Sequence, residues 1–179
     1  KRNLSYFLAI ILGFVIPMSV ISLRDFFSNT IKSKKDLTDS TNIPILGVVG
    51  HSYKPTNLVV LKNPKSALSE SFRAIRTNIQ YLAVEKERKV ITISSSIGSE
   101  GKTFCAINLA SVFALSGHKT MLIGADLRKP KIHEDFGVEE TIGLSTYLIN
   151  KCSMKELIQK SEVDDMDIIT SGPTPPNPA

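Results

Sequence analysis

Residues 89–103 read KVITISSSIGSEGKT, and this stretch decides the fold class. The run from Lys89 to Ser94 alternates and is rich in Val, Ile and Thr, which predicts a buried strand. The loop from Ser95 to Gly101 follows, and a helix is predicted from Lys102 to Leu115. A second strand is predicted from Lys119 to Ile123. The order strand, loop, helix, strand predicts a parallel βαβ unit with a right-handed crossover, and therefore an α/β fold.

The loop has the composition of a phosphate-binding turn. Gly98 and Gly101 let successive backbone N–H groups face an anion, and the helix N-terminus adds partial positive charge. Lys102 can reach the β- and γ-phosphates, and the Thr103 hydroxyl can bind Mg²⁺. The full pattern expects Gly at the position of Ser96. The sequence predicts an ATP and Mg²⁺ site on a P-loop NTPase-like parallel sheet with flanking helices, contacted by Ser96, Gly98, Ser99, Glu100, Gly101, Lys102, Thr103 and Phe104.

A carboxylate follows the second predicted strand, where residues 122–130 read LIGADLRKP. Asp126 leaves the strand next to the predicted phosphate loop, so it is placed to hold Mg²⁺ or its waters together with Thr103. An Asp after a strand caps a turn equally often, and the residues leave the two roles open. Arg128 could meet a phosphate or a neighbouring acid.

An uncharged run of twenty residues extends from Leu4 to Leu23. As a helix it rises ~30 Å, the thickness of the hydrocarbon core of a bilayer. The alternatives are a signal peptide and a buried core helix, but the run is long and no Ala-x-Ala pattern follows it. One transmembrane helix is therefore predicted. A cytoplasmic C-terminal part in contact with anionic lipid is predicted from the basic residues that follow, which are Arg24, Lys32, Lys34 and Lys35.

Length and composition limit the number of domains and the kinds of partner. We predict a transmembrane helix with its flanks at 1–31, a juxtamembrane linker at 32–65 and a portion of one P-loop domain at 66–179. The net charge is +5, but no stripe of Lys and Arg interleaved with aromatic residues occurs, which argues against nucleic-acid binding. Cys105 and Cys152 lack the spacing of a metal site and are predicted to be free thiols.

A further helix is predicted from Asn63-Pro64 to Leu82, because proline favours a first helical turn. Its apolar face consists of Leu68, Phe72, Ile75, Ile79 and Leu82. Charged residues lie largely on the opposite side, and their composition alone predicts a solvated face with a weak ion pair. These residues are Glu70, Arg73 and Arg76.

Several of these motifs, in this order, resemble the bacterial tyrosine kinases of capsule and exopolysaccharide assembly, the polysaccharide co-polymerase or chain-length determinant family. The run from Leu4 resembles that family's second membrane helix, and residues 43–47 its juxtamembrane segment. Residues 95–103 match its Walker A loop, and 123–128 its variant second Walker motif. Residues 171–178 resemble its proline-rich turn. The spacing Glu70-x-x-Arg73-x-x-Arg76 matches the motif that joins its kinase domains into a ring.

The resemblance implies transfer of the ATP γ-phosphoryl group to tyrosine, in trans between neighbouring copies in a ring. It implies catalytic roles for Lys102, Asp126 and Arg128, a place in the bacterial inner membrane with the kinase part in the cytoplasm, and regulation of polysaccharide polymerisation and export. Polysaccharide export and polymerisation proteins, a phosphatase and membrane lipid are the other implied partners.

Two departures from the family pattern keep other functions open. Gly124 stands where the family usually carries a first aspartate, and the chain ends at Ala179 before a Walker B aspartate or a tyrosine cluster. We therefore expect an incomplete C-terminal part that is inactive alone. One alternative is a non-catalytic chain-length regulator with a vestigial nucleotide domain. Another is a partition-type ATPase switch, although such proteins carry Lys where Ile97 stands.

Overall fold

The computed structural model describes residues 2–27, 31, 33–82 and 88–176, and these divide into two units, 1–45 and 46–179. Predictions that concern Lys1, Lys32 and the end of the proline-rich turn at 177–179 lie outside the described residues. Leu46 onward belongs to the second unit, so the later part of the predicted linker 32–65 packs with that unit.

The described residues of the first unit form two helices. Helix α1 spans Arg2–Phe26 and includes Pro17. It is long and apolar enough to cross a membrane, judged by length and composition. Helix α2 spans Lys34–Ser40 and begins with a capping box, in which the Asp36 N–H donates to Ser33 Oγ at 3.2 Å and the Ser33 N–H donates to Asp36 Oδ2 at 2.9 Å.

The second unit is a small mixed sheet flanked by helices, which confirms the α/β class. Strand β1 pairs in parallel with β3, with Thr120 opposite Met166 and Ile123 opposite Ile169, and β2 pairs antiparallel to β3. The elements in chain order are α3 Val59–Lys62, α4 Ala67–Leu82, α5 Lys102–Ala114, β1 Thr120–Ile123, α6 Ile132–Phe136, α7 Leu144–Leu148, α8 Met154–Leu157, β2 Gln159–Lys160 and β3 Met166–Ile169.

The prediction of a buried strand from Lys89 to Ser94 is wrong for the described part of the chain. This segment carries no ladder hydrogen bonds, Val90 is 96% exposed and Ile91 is 43% exposed. A β-strand forms where a neighbouring strand satisfies its backbone N–H and C=O groups. None of the described residues pairs with this segment. The parallel partner of β1 is β3 instead.

Helix α4 begins at Ala67, four residues after the predicted start at Asn63-Pro64. The Ser69 hydroxyl donates to the Asn63 carbonyl at 2.8 Å, and the Ser69 N–H donates to Ser66 Oγ at 3.2 Å. These bonds hold the intervening residues in a turn. The predicted apolar face is confirmed at Phe72, which is 1% exposed, but Leu82 at the end of the helix is exposed.

Helix α5 lies between two hydrophobic clusters, so it is buried on two sides. Residues 107–112 are buried consecutively. One cluster joins Ile107 and Ala110 to the sheet, and the other joins Leu109 and Val112 to α3 and α4. Gly117 adopts a left-handed conformation with φ 81° and its N–H donates to the Ala114 carbonyl at 2.8 Å, which ends the helix.

Two polar side chains, Asn108 and Ser111, are fully buried within α5, and Asn108 connects the helix to other parts of the chain. Asn108 Oδ1 accepts from the Val60 N–H at 2.9 Å, and Asn108 Nδ2 donates to the carbonyls of Asn57 at 2.7 Å and Phe104 at 2.8 Å. Buried polar groups are tolerated when hydrogen-bonded in this way. Asn108 therefore ties the helix behind the phosphate loop to the chain that enters α3.

Candidate functional site

The predicted phosphate loop leads directly into α5. Ser99 and Gly101 have positive φ angles of 68° and 87°, and Gly101 is the N-cap residue of the helix. The loop is exposed from Ser96 to Glu100 and is braced by the Ile97 N–H, which donates to Glu100 Oε2 at 3.2 Å. Left-handed residues before a helix N-terminus form the concave backbone that binds anions, so the loop geometry fits a phosphate group.

Lys102 and Asp126 meet beside this loop, although they are 24 residues apart in the chain. Lys102 Nζ lies 3.3 Å from Asp126 Oδ2, and both side chains are about one third exposed. Asp126 Oδ1 accepts from the main-chain N–H groups of Lys129 and Arg128, each at 3.1 Å. Oδ1 therefore caps a turn, which is one of the two roles that the sequence left open, and Oδ2 faces the lysine. The magnesium-binding role stays a prediction.

The hydrogen bond from the Lys129 N–H is the main cause that lowers the pKa of Asp126 below the ordinary Asp value of 3.8. Lys102 and the Arg128 N–H act in the same direction, and partial burial opposes them. Asp126 is therefore ionised at neutral pH. Its carboxylate and the Thr103 hydroxyl, in the first turn of α5, are the oxygen ligands that Mg²⁺ prefers.

Asp126→Asn is expected to reduce the acid sensitivity of the fold. A carboxyl group with a lowered pKa stabilises the folded state above its ordinary value and loses that contribution as the pH falls through the lowered value. The loss of unfolding free energy on acidification should be smaller in the variant by about 0.5 kcal/mol, since the pair is partly exposed. Circular dichroism during urea unfolding at neutral and strongly acidic pH measures it. Asp164→Asn, at an exposed position, is the matched control.

The carboxyl ends of β1 and β3 are joined at Gly124. The Ser171 hydroxyl donates to the Gly124 carbonyl at 3.0 Å, and the Gly124 N–H donates to the Ile169 carbonyl at 2.8 Å. A Cβ atom at Gly124 would lie 3.1 Å from Ser171 Oγ and 3.3 Å from Ile132 Cδ1. The space beside the position of the family's first aspartate is therefore occupied by neighbouring side chains.

The chain that leaves β3 is also held by the start of α7. The Ser145 N–H donates to the Ser171 carbonyl at 2.9 Å, and Ser145 Oγ donates to the Pro173 carbonyl at 2.8 Å. A Cβ atom at Gly143 would lie 2.1 Å from the Gly172 nitrogen, so the two backbones are in direct contact. The proline-rich turn thus begins at a fixed place at the edge of the sheet that also carries Gly124.

Two of the three charged residues of α4, Glu70 and Arg73, contact each other. Arg73 forms an ion pair with Glu70 and donates to the Pro64 carbonyl at 2.7 Å. Arg76 Nε is buried and has no hydrogen-bond acceptor among the described residues. The intramolecular Glu70–Arg73 pair agrees with the weak pair that composition alone predicts.

Three contributors to the site were not predicted. The Lys129 N–H holds Asp126, the Ser171 hydroxyl holds Gly124, and Asn108 anchors α5. Asn108 had a signal in the sequence, since it is an amide within the apolar run of the helix predicted from Lys102 to Leu115. The other two contacts depend on the path of the chain, and no local pattern indicates them.

The comparisons with known proteins agree with this geometry. Residues 88–174 match the AAA domain family. The tyrosine-protein kinase YwqD of Bacillus subtilis is 47% identical over 123 residues, which cover 69% of this chain and 52% of the relative. The kinase domain of the Escherichia coli tyrosine kinase ETK superposes with a TM-score of 0.76 at 30% identity, covering 83% of this chain and 63% of that one. The chimerical protein CapA2B2 superposes with a TM-score of 0.74 at 37% identity, covering 82% and 63%.

The second unit thus contains a P-loop domain of the AAA type. The chain is homologous to the bacterial tyrosine-protein kinases, which are phosphotransferases, and the resemblance predicted from its motifs is confirmed. The chain spans about half the length of the curated relatives it matches. The activity, substrates and partners of the whole protein are therefore matters for proposal.

Proposed function

We propose that the intact protein is a membrane-anchored, ATP-dependent tyrosine kinase that phosphorylates itself and regulates capsular or exopolysaccharide polymerisation and export. The observation that carries this proposal is the approach of Lys102 to Asp126 at the N-terminus of α5, at 3.3 Å. A lysine held beside a carboxylate at a phosphate loop supplies charge for a triphosphate and an oxygen ligand for its metal ion.

Each residue of this site has a distinct part in the proposal. The loop from Ser96 to Gly101 binds phosphate oxygens through its backbone, and Phe104 lies in the first turn of α5 behind it. Lys102 stabilises negative charge that develops on the transferred phosphoryl group. Thr103 and Asp126 hold Mg²⁺, which when bound neutralises phosphate charge. Arg128 lies at the same turn as Asp126 and is assigned a catalytic role from the family motif alone.

The proposed location is the bacterial inner membrane, with the P-loop domain in the cytoplasm. It rests on the length and composition of α1 and on the basic residues that follow it, among them Arg24, Lys34 and Lys35. In membrane vesicles of known orientation, added protease should cut 46–179 only when the cytoplasmic face is outside. Cleavage from the periplasmic face would contradict this orientation.

Self-association through α4 is part of the proposal. Arg76 is partly exposed on α4, in the spacing Glu70-x-x-Arg73-x-x-Arg76 that matches the ring motif of the family, and this supports a contact with another copy. Arg76→Ala is expected to weaken self-association about tenfold, the effect of one charge-assisted hydrogen bond. Light scattering after size-exclusion chromatography in detergent measures it, with the exposed Lys65→Ala as control. Equal association of both variants would remove α4 from the interface. Polysaccharide export and polymerisation proteins, and a phosphatase, are proposed as further partners.

Labelled ATP separates the proposed kinase from its alternatives. With γ-labelled ATP and Mg²⁺, the intact protein in membranes should carry label on tyrosine. Release of labelled phosphate without phosphotyrosine would instead support an ATPase switch. A non-catalytic chain-length regulator is favoured by Gly124, where Ser171 and Ile132 occupy the space beside the missing acid. That alternative would be supported if no label were transferred and calorimetry detected no binding of Mg-ATP.

A further inference from the structure

Tyr53 lies on one of the most exposed parts of the second unit. Its side chain is 92% exposed, and its hydroxyl makes no hydrogen bond with the residues that the structure describes. Tyr81 is 76% exposed but belongs to the hydrogen-bonded helix α4, and Tyr147 is half-buried in α7. Tyr6 lies in the apolar helix α1. Tyr53 is thus the one tyrosine of the described chain that combines an exposed ring with a backbone outside helices and strands.

The loop that carries Tyr53 is anchored at both ends. On one side, Asn78 Nδ2 donates to the Leu46 carbonyl at 2.7 Å, and Val49 packs against the Phe72 cluster. On the other side, Asn57 Nδ2 donates to both carboxylate oxygens of Asp135, at 2.9 and 3.1 Å. Tyr53 is four positions from Val49 and four from Asn57, so an extended chain carries it at most about 14 Å from either residue.

The charges in the sequence of this loop favour a phosphate group, and the acid in contact with its end is Asp135, at the Asn57 anchor. No Asp or Glu occurs in the sequence between Asp39 and Glu70, whereas Lys54 is the next residue after Tyr53. The His51 ring lies edge-on to the Tyr53 ring, with centroids 5.0 Å apart. A phosphotyrosine carries a charge of roughly −1.5 to −2, which acidic neighbours in sequence would oppose and basic ones stabilise.

We propose that Tyr53 is a phosphate acceptor of this protein, an inference that rests on the tyrosine kinase activity proposed above. In the transfer, the Tyr53 phenolic oxygen forms a bond to the γ-phosphorus of a nucleoside triphosphate. The bond from that phosphorus to the β–γ bridging oxygen breaks, and the nucleoside diphosphate leaves with the electron pair. The phenolic proton passes to solvent. The two anchors limit the distance over which Tyr53 can move. The exposure of its side chain leaves the hydroxyl accessible to an active site.

Peptide mapping of the intact protein tests the assignment. Trypsin releases residues 36–62, because the Lys54-Pro55 bond resists cleavage, and Tyr53 is the only tyrosine of this peptide. After incubation of membranes with Mg-ATP, this peptide should carry phosphotyrosine. Tyr53→Phe, which keeps the ring contact with His51, should lose the label from this peptide completely. Tyr81→Phe, the matched control, should retain it.

The outcomes distinguish the two proposals. Phosphotyrosine on other peptides, with 36–62 unmodified, overturns the assignment of Tyr53 and leaves the kinase proposal standing. Absence of phosphotyrosine from the whole protein overturns both.

A second measurement does not depend on nucleotide. Without added nucleotide, N-acetylimidazole should acetylate the phenol of Tyr53 faster than that of the half-buried Tyr147. Reaction of Tyr53 no faster than Tyr147 would contradict the exposure on which the inference depends.

Discussion

Replacing Lys102 with Met is expected to lower phosphotyrosine formation by the intact protein about a hundredfold or more, because transition-state charge then loses a positioned donor. The Lys102 ammonium is the cation that the structure places beside both the phosphate loop and Asp126, 3.3 Å from the carboxylate. Methionine keeps the length and apolar stem of the side chain and removes its charge. Detection of phosphotyrosine after incubation of membranes with Mg-ATP measures the effect.

Lys119→Met is the matched control for this prediction. Lys119 is exposed, immediately precedes β1 and is not part of the phosphate loop, so its loss of charge should leave phosphotyrosine unchanged. Circular dichroism of both variants checks that the fold is retained. Undiminished phosphotyrosine in Lys102→Met would remove the kinase role of this site. An equal loss of phosphotyrosine in both variants would show that the effect comes from the change in net charge and not from the position of Lys102.

Asn108→Ala is expected to have the largest effect on stability, lowering the free energy of unfolding by about 3 kcal/mol or more. The truncation leaves the Val60 N–H and the Asn57 carbonyl without the amide that now satisfies them, at a fully buried site. An unsatisfied buried polar group costs its full desolvation penalty. Urea unfolding of the protein in detergent, followed by circular dichroism, measures the change.

Asn78→Ala provides the comparison on another helix. Asn78 is exposed and makes one hydrogen bond, from Nδ2 to the Leu46 carbonyl at 2.7 Å. Its loss should cost about 1 kcal/mol or less, since water can replace the donor. A similar cost for the two substitutions would show that the buried amide network does not hold α5 to the chain before α3.

The parts of the fold that local signals determine were predictable from the sequence. The loop with Gly98 and Gly101, helix α5 and strand β1 each have their own composition, and their bounds agree with prediction to within about one residue at either end. The run from Lys89 to Ser94 has an equally clear strand composition, but its pairing depends on distant residues. Local composition therefore predicts the β-strand propensity of this run and not its hydrogen bonds.

Motif spacing indicated the charged residues of the candidate site but not their arrangement. Motif spacing singled out Lys102 and Asp126, but only the folded chain brings their charged atoms together. The contacts that each oxygen of Asp126 makes depend on the turn that positions the N–H groups of Arg128 and Lys129. The buried Ser171 contact at Gly124 likewise arises from β3, whose short apolar run has no periodicity that identifies its partner.

Because α5 is buried on two sides, hydrogen exchange should distinguish this helix from the exposed phosphate loop before it. Residues 107–112 are enclosed, whereas 96–100 are open to water. Their amide protons should exchange with deuterium at very different rates, and the boundary should fall close to Gly101. Slower exchange confined to the loop would then reveal a bound nucleotide even in a protein that transfers no phosphate.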